Sequence, residues 1–447
     1  EPCGGTGQVC CSGNNRCSTA VTRSTNNGQS FAFVADATVC TDNAAACFPD
    51  QEHIAADRFN LSGVNGDQVY STWRNFSGGG CGGTGVATAG PVIPTLVCSS
   101  DSGATWPTTR QVGNAGDEFP RITVGQDGSV YVVYRAGNNV MLNKFSSCDA
   151  GLNQVAGFPA TVATGITDVT CKSAGGIPGL DRCNGRNTLS SHSVAVDDLN
   201  ANHVFVAYAN NTSAGQNEEV VVRDSVDGGA TWPRSVRADS GVNARRYMPW
   251  VCATAGVAYL SWYDMRFAVP GAGGSNQPND RADFFGGSAY VNAGGALVAG
   301  PEFRLSEVSD PLCASGWPSA TDNSFDSETC GFQPQLAGIC QNTANPPANQ
   351  PGPVRCDFSD CGGAGMNSGG ACQCGAGNVC NVGRGAPKYG DYNYVACSAG
   401  RYVAAWASAT SPPSIAAAVG ATSYAGVPLT GSDGRPGRNG AQPASSA

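Results

Sequence analysis

An eight-residue turn motif, written twice in full and once in looser form, constrains this chain more than any other feature. Ser99-Ser100-Asp101-Ser102-Gly103-Ala104-Thr105-Trp106 and Ser225-Val226-Asp227-Gly228-Gly229-Ala230-Thr231-Trp232 both read S-x-D-x-G-x-T-W. Ser24-Thr25-Asn26-Asn27-Gly28-Gln29-Ser30-Phe31 is the looser copy, with Asn for Asp, Ser for Thr and Phe for Trp, and Ser147-Cys148-Asp149-Ala150-Gly151 keeps a trace. In a tight reversal, Asp caps the turn's own amides, Gly accepts a φ that other residues resist, and Trp anchors the turn on the sheet below. A single copy would be only a turn. Recurrence at one place in successive β units indicates a repeat architecture.

Paired apolar runs separated by polar, Gly/Asn/Asp-rich links recur between the octets: His53–Asp57 with Gln68–Trp73, Arg121–Val124 with Ser129–Tyr134, His192–Val196 with His203–Tyr208, Trp250–Ala253 with Val257–Trp262, and Tyr392–Cys397 with Arg401–Trp406. Near-continuous hydrophobicity suits strands covered on both faces, so each pair reads as two neighbouring inner strands. The octets and pairs together resemble the Asp-box (BNR repeat) proteins, the sialidase-like β-propellers, over most of residues 17–305 and 386–425. The resemblance implies an all-β propeller; the five pairs with the unit at 18–36 give six blades, with five as the alternative, and the Cys-rich, non-periodic stretch at 308–384 reads as a disulfide-rich loop insertion. The resemblance also implies that the octets (Ser99, Asp101, Gly103, Thr105 and Trp106; Ser225, Asp227, Gly229, Thr231 and Trp232) are structural and lie away from the active site. The strand and octet at 18–36 need inner partners, from a sixth blade or from C-terminal strands around 414–424.

The expected organisation is a Cys-rich N-terminal knot at 1–17, blades at 18–307, a Cys-rich insertion at 308–384, a final blade with ring closure at 385–427, and a flexible tail at 428–447. Twenty-one Cys without paired zinc-type spacing point to disulfides and to a secreted or cell-surface protein. The odd count leaves one thiol free or paired with another chain, as in a surface assembly. No apolar run is long enough to span a membrane as a helix. A net charge of −9 argues against a nucleic-acid partner. Of the 25 basic residues only Lys144, Lys172 and Lys388 are Lys, and Arg is the side chain that grips carboxylates with a planar fork.

Strand direction alternates within a blade, so the starts of innermost strands and the ends of second strands share one face near the axis, opposite the octets. The starts carry Asp50, Arg121, His192, Arg245, Arg246, Tyr389, Asp391 and Tyr392; the ends carry Arg74, Arg135 and Arg266. Several Arg around a pocket suit a sugar carboxylate or sulfate. The resemblance to sialidases implies a triad of Arg121, one of Arg245 or Arg246, and one of Arg74, Arg135 or Arg266, with His192 beside it. It implies Tyr389 or Tyr392 as nucleophile, with Asp391 between them, and Asp50 as acid/base. No cofactor or catalytic metal is expected; Asp198-x-Asn200-x-Asn202 has a spacing that suits a structural Ca²⁺, against a plain Asn/Asp turn.

Two functions follow. One is a secreted hydrolase or lyase acting on an acidic glycan or cell-surface polysaccharide. The other is a non-catalytic propeller that binds glycan or protein or builds a surface structure. Catalytic sialidases carry F/Y-R-I-P near their start, whereas Phe119-Pro120-Arg121-Ile122 has Pro on the other side of Arg and comes one blade late, which favours the second.

Overall fold

The computed structural model describes residues 18–39, 47–59, 67–77, 93–167, 192–211, 218–241, 244, 246–264, 266–267, 281–306, 310–311, 371–373, 379–381, 393–398 and 401–406. These residues are all-β, with no helix among them. The N-terminal knot, the tail at 428–447 and the strands expected around 414–424 lie outside the described residues, as does the 308–384 insertion except for three short strands.

β1 (Ser18–Arg23) and β2 (Ala32–Val39) form a hairpin around the looser octet. Four antiparallel sheets follow in chain order. The first holds β3 (Cys47–Ala56), β4 (Val69–Ser77), β5 (Ile93–Ser99) and β6 (Thr108–Gln111). The second holds β7 (Glu118–Val124), β8 (Val130–Ala136), β9 (Asn139–Phe145) and β10 (Ala160–Ala163). The third holds β11 (His192–Asp197), β12 (Asn200–Asn211), β13 (Glu218–Ser225) and β14 (Arg234–Arg237). The fourth holds β15 (Arg246–Thr254), β16 (Val257–Asp264), β17 (Arg281–Val291) and β18 (Leu297–Ala299), with β19 (Phe303–Arg304) and β20 (Asp310–Pro311) also pairing with β17. Two hairpins complete the list: β21 (Ala371–Gln373) with β22 (Val379–Asn381), and β23 (Tyr394–Ser398) with β24 (Arg401–Ala405). All five expected inner pairs form as hydrogen-bonded neighbours.

The sheets pack face to face in succession, as propeller blades do, with β3 against β7, β7 against β11, β11 against β15 and β15 against β23. Tyr70 and Leu96 meet Ile122 and Val132 at the first interface, and Val133 and Leu142 meet Val194 and Val206 at the second. Phe205 and Val220 then meet Leu260 and Trp262, and Trp250 and Tyr263 meet Val395 and Tyr402. The N-terminal hairpin rests on the first sheet, Val21 and Ala37 packing against Trp73, Val97 and Trp106. Two disulfides among the described residues reinforce this order. Cys98–Cys148 ties the first sheet to the turn after β9, and Cys252–Cys397 ties β15 to β23.

The octets fold as their residue types dictate. Ser99 Oγ donates to Asp101 Oδ1 (2.6 Å) and accepts from Gly103 N (2.8 Å); Asp101 accepts from Thr105 N (2.8 Å) and Thr105 Oγ1 (2.6 Å); Trp106 Nε1 donates to Gly103 O (3.0 Å). Ser225, Asp227, Gly229, Thr231 and Trp232 repeat every one of these bonds within 0.1 Å. In the looser copy Asn26 Oδ1 accepts from Ser30 N (2.9 Å), but Phe31 stays 64% exposed, so the anchor is missing. At Ser147–Gly151 the trace keeps the position and loses the chemistry, because Asp149 accepts from Gln68 Nε2 (3.0 Å) instead of capping its own turn.

One repeated device was not expected. Gln51 (φ 62°), Phe119 (φ 57°) and Met248 (φ 53°) each adopt a left-handed backbone at the start of an innermost strand, where the ladder slips between Asp50 and His53, Glu118 and Arg121, and Tyr247 and Trp250. Such conformations are unfavourable for bulky residues unless the surroundings hold them. Here the carbonyl of each bulged residue is received by a side chain of another sheet. Arg121 Nη1 donates to Gln51 O (3.2 Å), His192 Nε2 to Phe119 O (2.8 Å) and Asn393 Nδ2 to Met248 O (2.9 Å).

Candidate functional site: the face opposite the octets

The face that gathers the starts of β3, β7, β11, β15 and β23 and the ends of β4, β8, β12 and β16 carries the charged residues singled out in the sequence. Arg74 Nη2 pairs with Glu118 Oε1 at 2.8 Å. Arg135 donates to Gly137 O (2.8 Å) and Ile166 O (3.3 Å). Arg121 is almost fully buried, bonds Gln51 O and Pro120 O, and lies over the Trp250 ring at 5.6 Å.

Arg246 is fully buried between Asp264 (2.9 Å) and Asp239 (3.3 Å), and Arg266 pairs with Asp264 (2.5 Å) and with Glu302 (3.0 Å) while covering Phe285 at 4.0 Å. Each guanidinium therefore engages a carboxylate, a carbonyl or an aromatic face of the protein itself. His192 is likewise fully buried on Phe119 O. Burial, then Arg121 and Arg135, hold its imidazole neutral, pushed down to about 3.

Asp50 stands in β3 with its main chain opposite Arg74, and its side chain lies outside the described residues. Arg245, Tyr389, Asp391 and Tyr392 lie outside them altogether. The Asp198–Asn202 turn closes on itself, Asn200 Oδ1 accepting from Asn202 N (3.1 Å), and no group of three or more His, Cys, Asp or Glu suited to a metal ion occurs among the described residues.

Three features of this face were given no role from the sequence. Asp117, between Asn114 and β7, accepts from Asn114 N (2.6 Å), yet burial pushes its carboxyl up; Tyr134 beside it is pushed up to about 12 by burial and by that carboxyl. Phe267, just past the end of β16, is 47% exposed, with Arg304 at 5.3 Å from its ring and Phe285 at 6.1 Å. The bulges had a signal: Phe119-Pro120-Arg121 and Met248-Pro249-Trp250 repeat one pattern at the heads of two inner strands.

No protein-family model and no curated protein matches this chain. Among solved structures it is similar to the GH93 α-L-arabinofuranosidase of Fusarium graminearum, at 13% identity and a TM-score of 0.37, covering 65% of this chain and 86% of that one. It is similar to the Hadza microbial sialidase Hz136 at 15% identity and a TM-score of 0.36, covering 65% of this chain and 53% of that one. A mutant of the NanB sialidase from Streptococcus pneumoniae follows at 9% identity and a TM-score of 0.37, covering 64% and 56%. The chain thus spans about half the length of the two sialidases, and at such identity no residue role passes from these proteins to this one.

Proposed function

We propose that this chain is a secreted, sialidase-like β-propeller that recognises a cell-surface glycan on the face opposite its octets, without relying on a triad of its described arginines. The observation that carries the reading is the rim at the end of β16. There Phe267 offers a half-exposed aromatic face, while Arg266, Glu302 and Arg304 are already held in place by Asp264, one another and Asp283. An aromatic plane flanked by polar groups that need no reorganisation is the chemistry that receives the apolar face and hydroxyls of a sugar. Because the described arginines of this face are spoken for internally, a neutral glycan is the favoured ligand and an acidic one the alternative.

Five blades is the favoured count. β23–β24 and β1–β2 are separate two-stranded sheets; read as an inner pair and an outer pair with an octet between its strands, they would together make the fifth blade and close the ring. The two described disulfides and the Cys content favour an oxidising, extracellular compartment.

Hydrolysis is the second reading, supported by Asp117, a carboxyl that burial biases toward its protonated form, as a general acid requires. The test is a glycan array with neutral and acidic members, run with the parent and Phe267→Ala, alongside fluorogenic acidic glycosides tested with Asp117→Asn, Arg121→Ala and Arg246→Ala. Phe267→Ala is expected to weaken binding about tenfold. Turnover of an acidic glycoside that vanishes in Asp117→Asn overturns the binding-only reading in favour of the enzyme.

A further inference from the structure

The hub of the fold holds a cavity of about 220 Å³, separate from the charged rim. Its walls are β3, β7, β11, β15 and β23, each of which hydrogen-bonds in its ladder on one side only, so main-chain N–H and C=O groups of the free edges face inward. His53, Trp250 and Tyr394 close it at the strand starts, with ring centroids 5.4 Å apart for His53–Trp250 and Trp250–Tyr394 and 6.2 Å apart for His53–Tyr394. The inner strands run away from the charged face, so the other end of the cavity, marked by Arg58, lies toward the octets.

The polar groups at the two ends are incompletely used. His53 Nδ1 accepts from Ile122 N (2.9 Å), which leaves the proton of the neutral ring on Nε2, and Nε2 is buried without a hydrogen-bond partner. Arg58, half exposed, has only long contacts: Cys397 O at 3.4 Å, Asp198 Oδ2 at 3.9 Å and the Phe59 ring at 4.8 Å. Asp198 Oδ1, beside it, is buried and unpartnered. The cavity thus presents a ring donor at one end, a loosely held cation at the other with the Asp198 carboxylate behind it, and strand edges of both kinds between them.

A cation would meet Arg58, and an anion drawn to Arg58 would come near the Asp198 carboxylate, 3.9 Å from that guanidinium. A hydroxyl both donates and accepts, and suits every one of these groups. The volume equals the share of about seven waters, room for one small organic molecule. We infer that the hub cavity is a binding site for a small neutral polyhydroxylated molecule, a monosaccharide or linear polyol, entering from the octet side. This site does not rest on the glycan reading of the opposite face.

Saturation-transfer NMR on the full chain tests it, with glucose and sorbitol as probes, 1,6-hexanediol as a probe poor in hydroxyls, and gluconate as a charged one. Ile54→Trp fills the cavity from a half-exposed position without removing a hydrogen bond, and Ala56→Leu does so more gently should the first variant fail to fold. Glucose or sorbitol is expected to show transfer in the parent and in Phe267→Ala, to lose it in the filled variant, and to bind about tenfold more weakly in Arg58→Ala. Hexanediol is expected to show none. Absence of transfer in the parent, transfer unchanged in a folded cavity-filled variant, or gluconate binding tenfold more tightly than glucose would each overturn the proposal. Retention of hub binding with loss of array binding in Phe267→Ala separates the two sites.

Discussion

Replacing Arg246 with Ala separates a structural arginine from a ligand-binding one. The side chain is fully buried, donates from Nε to Asp264 (2.9 Å) and from Nη1 to Glu218 O (3.1 Å) and Ala244 O (3.3 Å), and stands 3.3 Å from Asp239. Its removal leaves two buried carboxylates short of a counter-charge and two carbonyls short of a donor. Breaking one side of a buried pair costs about 3–5 kcal/mol. Asp264 keeps Arg266 and Trp262 Nε1, and Asp239 keeps Arg237 and the amide of Val220, which moderates the loss; each carbonyl adds about 1 kcal/mol. The expected destabilisation is about 4 kcal/mol by urea unfolding at pH 7.5, with m unchanged. Adding Asp264→Asn removes one of the stranded charges, so the double variant should be more stable than the sum of the singles by about 2 kcal/mol. If Arg246→Ala stays within about 1 kcal/mol of the parent yet loses glycan binding, the arginine is a ligand contact and the reasoning fails.

Removing the Cys252–Cys397 bridge with paired Ser substitutions should cost about 5 kcal/mol, from the chain entropy of a loop closed across 145 residues, and expose β23–β24 to limited proteolysis; an unchanged unfolding midpoint would refute this. His192 sits neutral in the fold with its pKa pushed to about 3 against 6.5 when unfolded, so its contribution is complete above pH 6.5 and is lost as pH falls from there toward 3, at about 1.4 kcal/mol per pH unit. Urea unfolding at pH 7.5 and pH 5 should show a proton uptake that His192→Gln reduces by close to one, and an identical slope in the variant would count against it. Asp227→Ala should destabilise the chain by about 1–2 kcal/mol and Asn26→Ala by less, since the third turn lacks a buried anchor; equal melting shifts would contradict the ranking.

The turns were legible because their chemistry is local. Asp101 and Asp227 bond groups within four residues, so eight letters specify the geometry. The inner strand pairs were legible for a related reason: burial on both faces leaves a continuous apolar run. The charged face was not, because its partners are chosen by sheet packing. Glu118 finds Arg74 from 44 residues away and Glu302 finds Arg266 from 36, and a list of basic residues near one rim cannot show that each already has a carboxylate or carbonyl. The bulges at Gln51, Phe119 and Met248 were hidden because the left-handed conformation there falls on residues that rarely adopt it, two of them followed by proline. Which cysteines join was equally hidden, as Cys252 and Cys397 meet only once β15 and β23 are neighbours.

The wall that Tyr394 adds to the hub arrives last during synthesis, after every residue of the four complete sheets has been made. Until then Trp250 and His53 lack the ring that β23 later sets against them, the Met248 carbonyl lacks Asn393, and Arg58 lacks the Cys397 carbonyl. A chain that stops short of β23 can therefore assemble four sheets yet own no interior chamber.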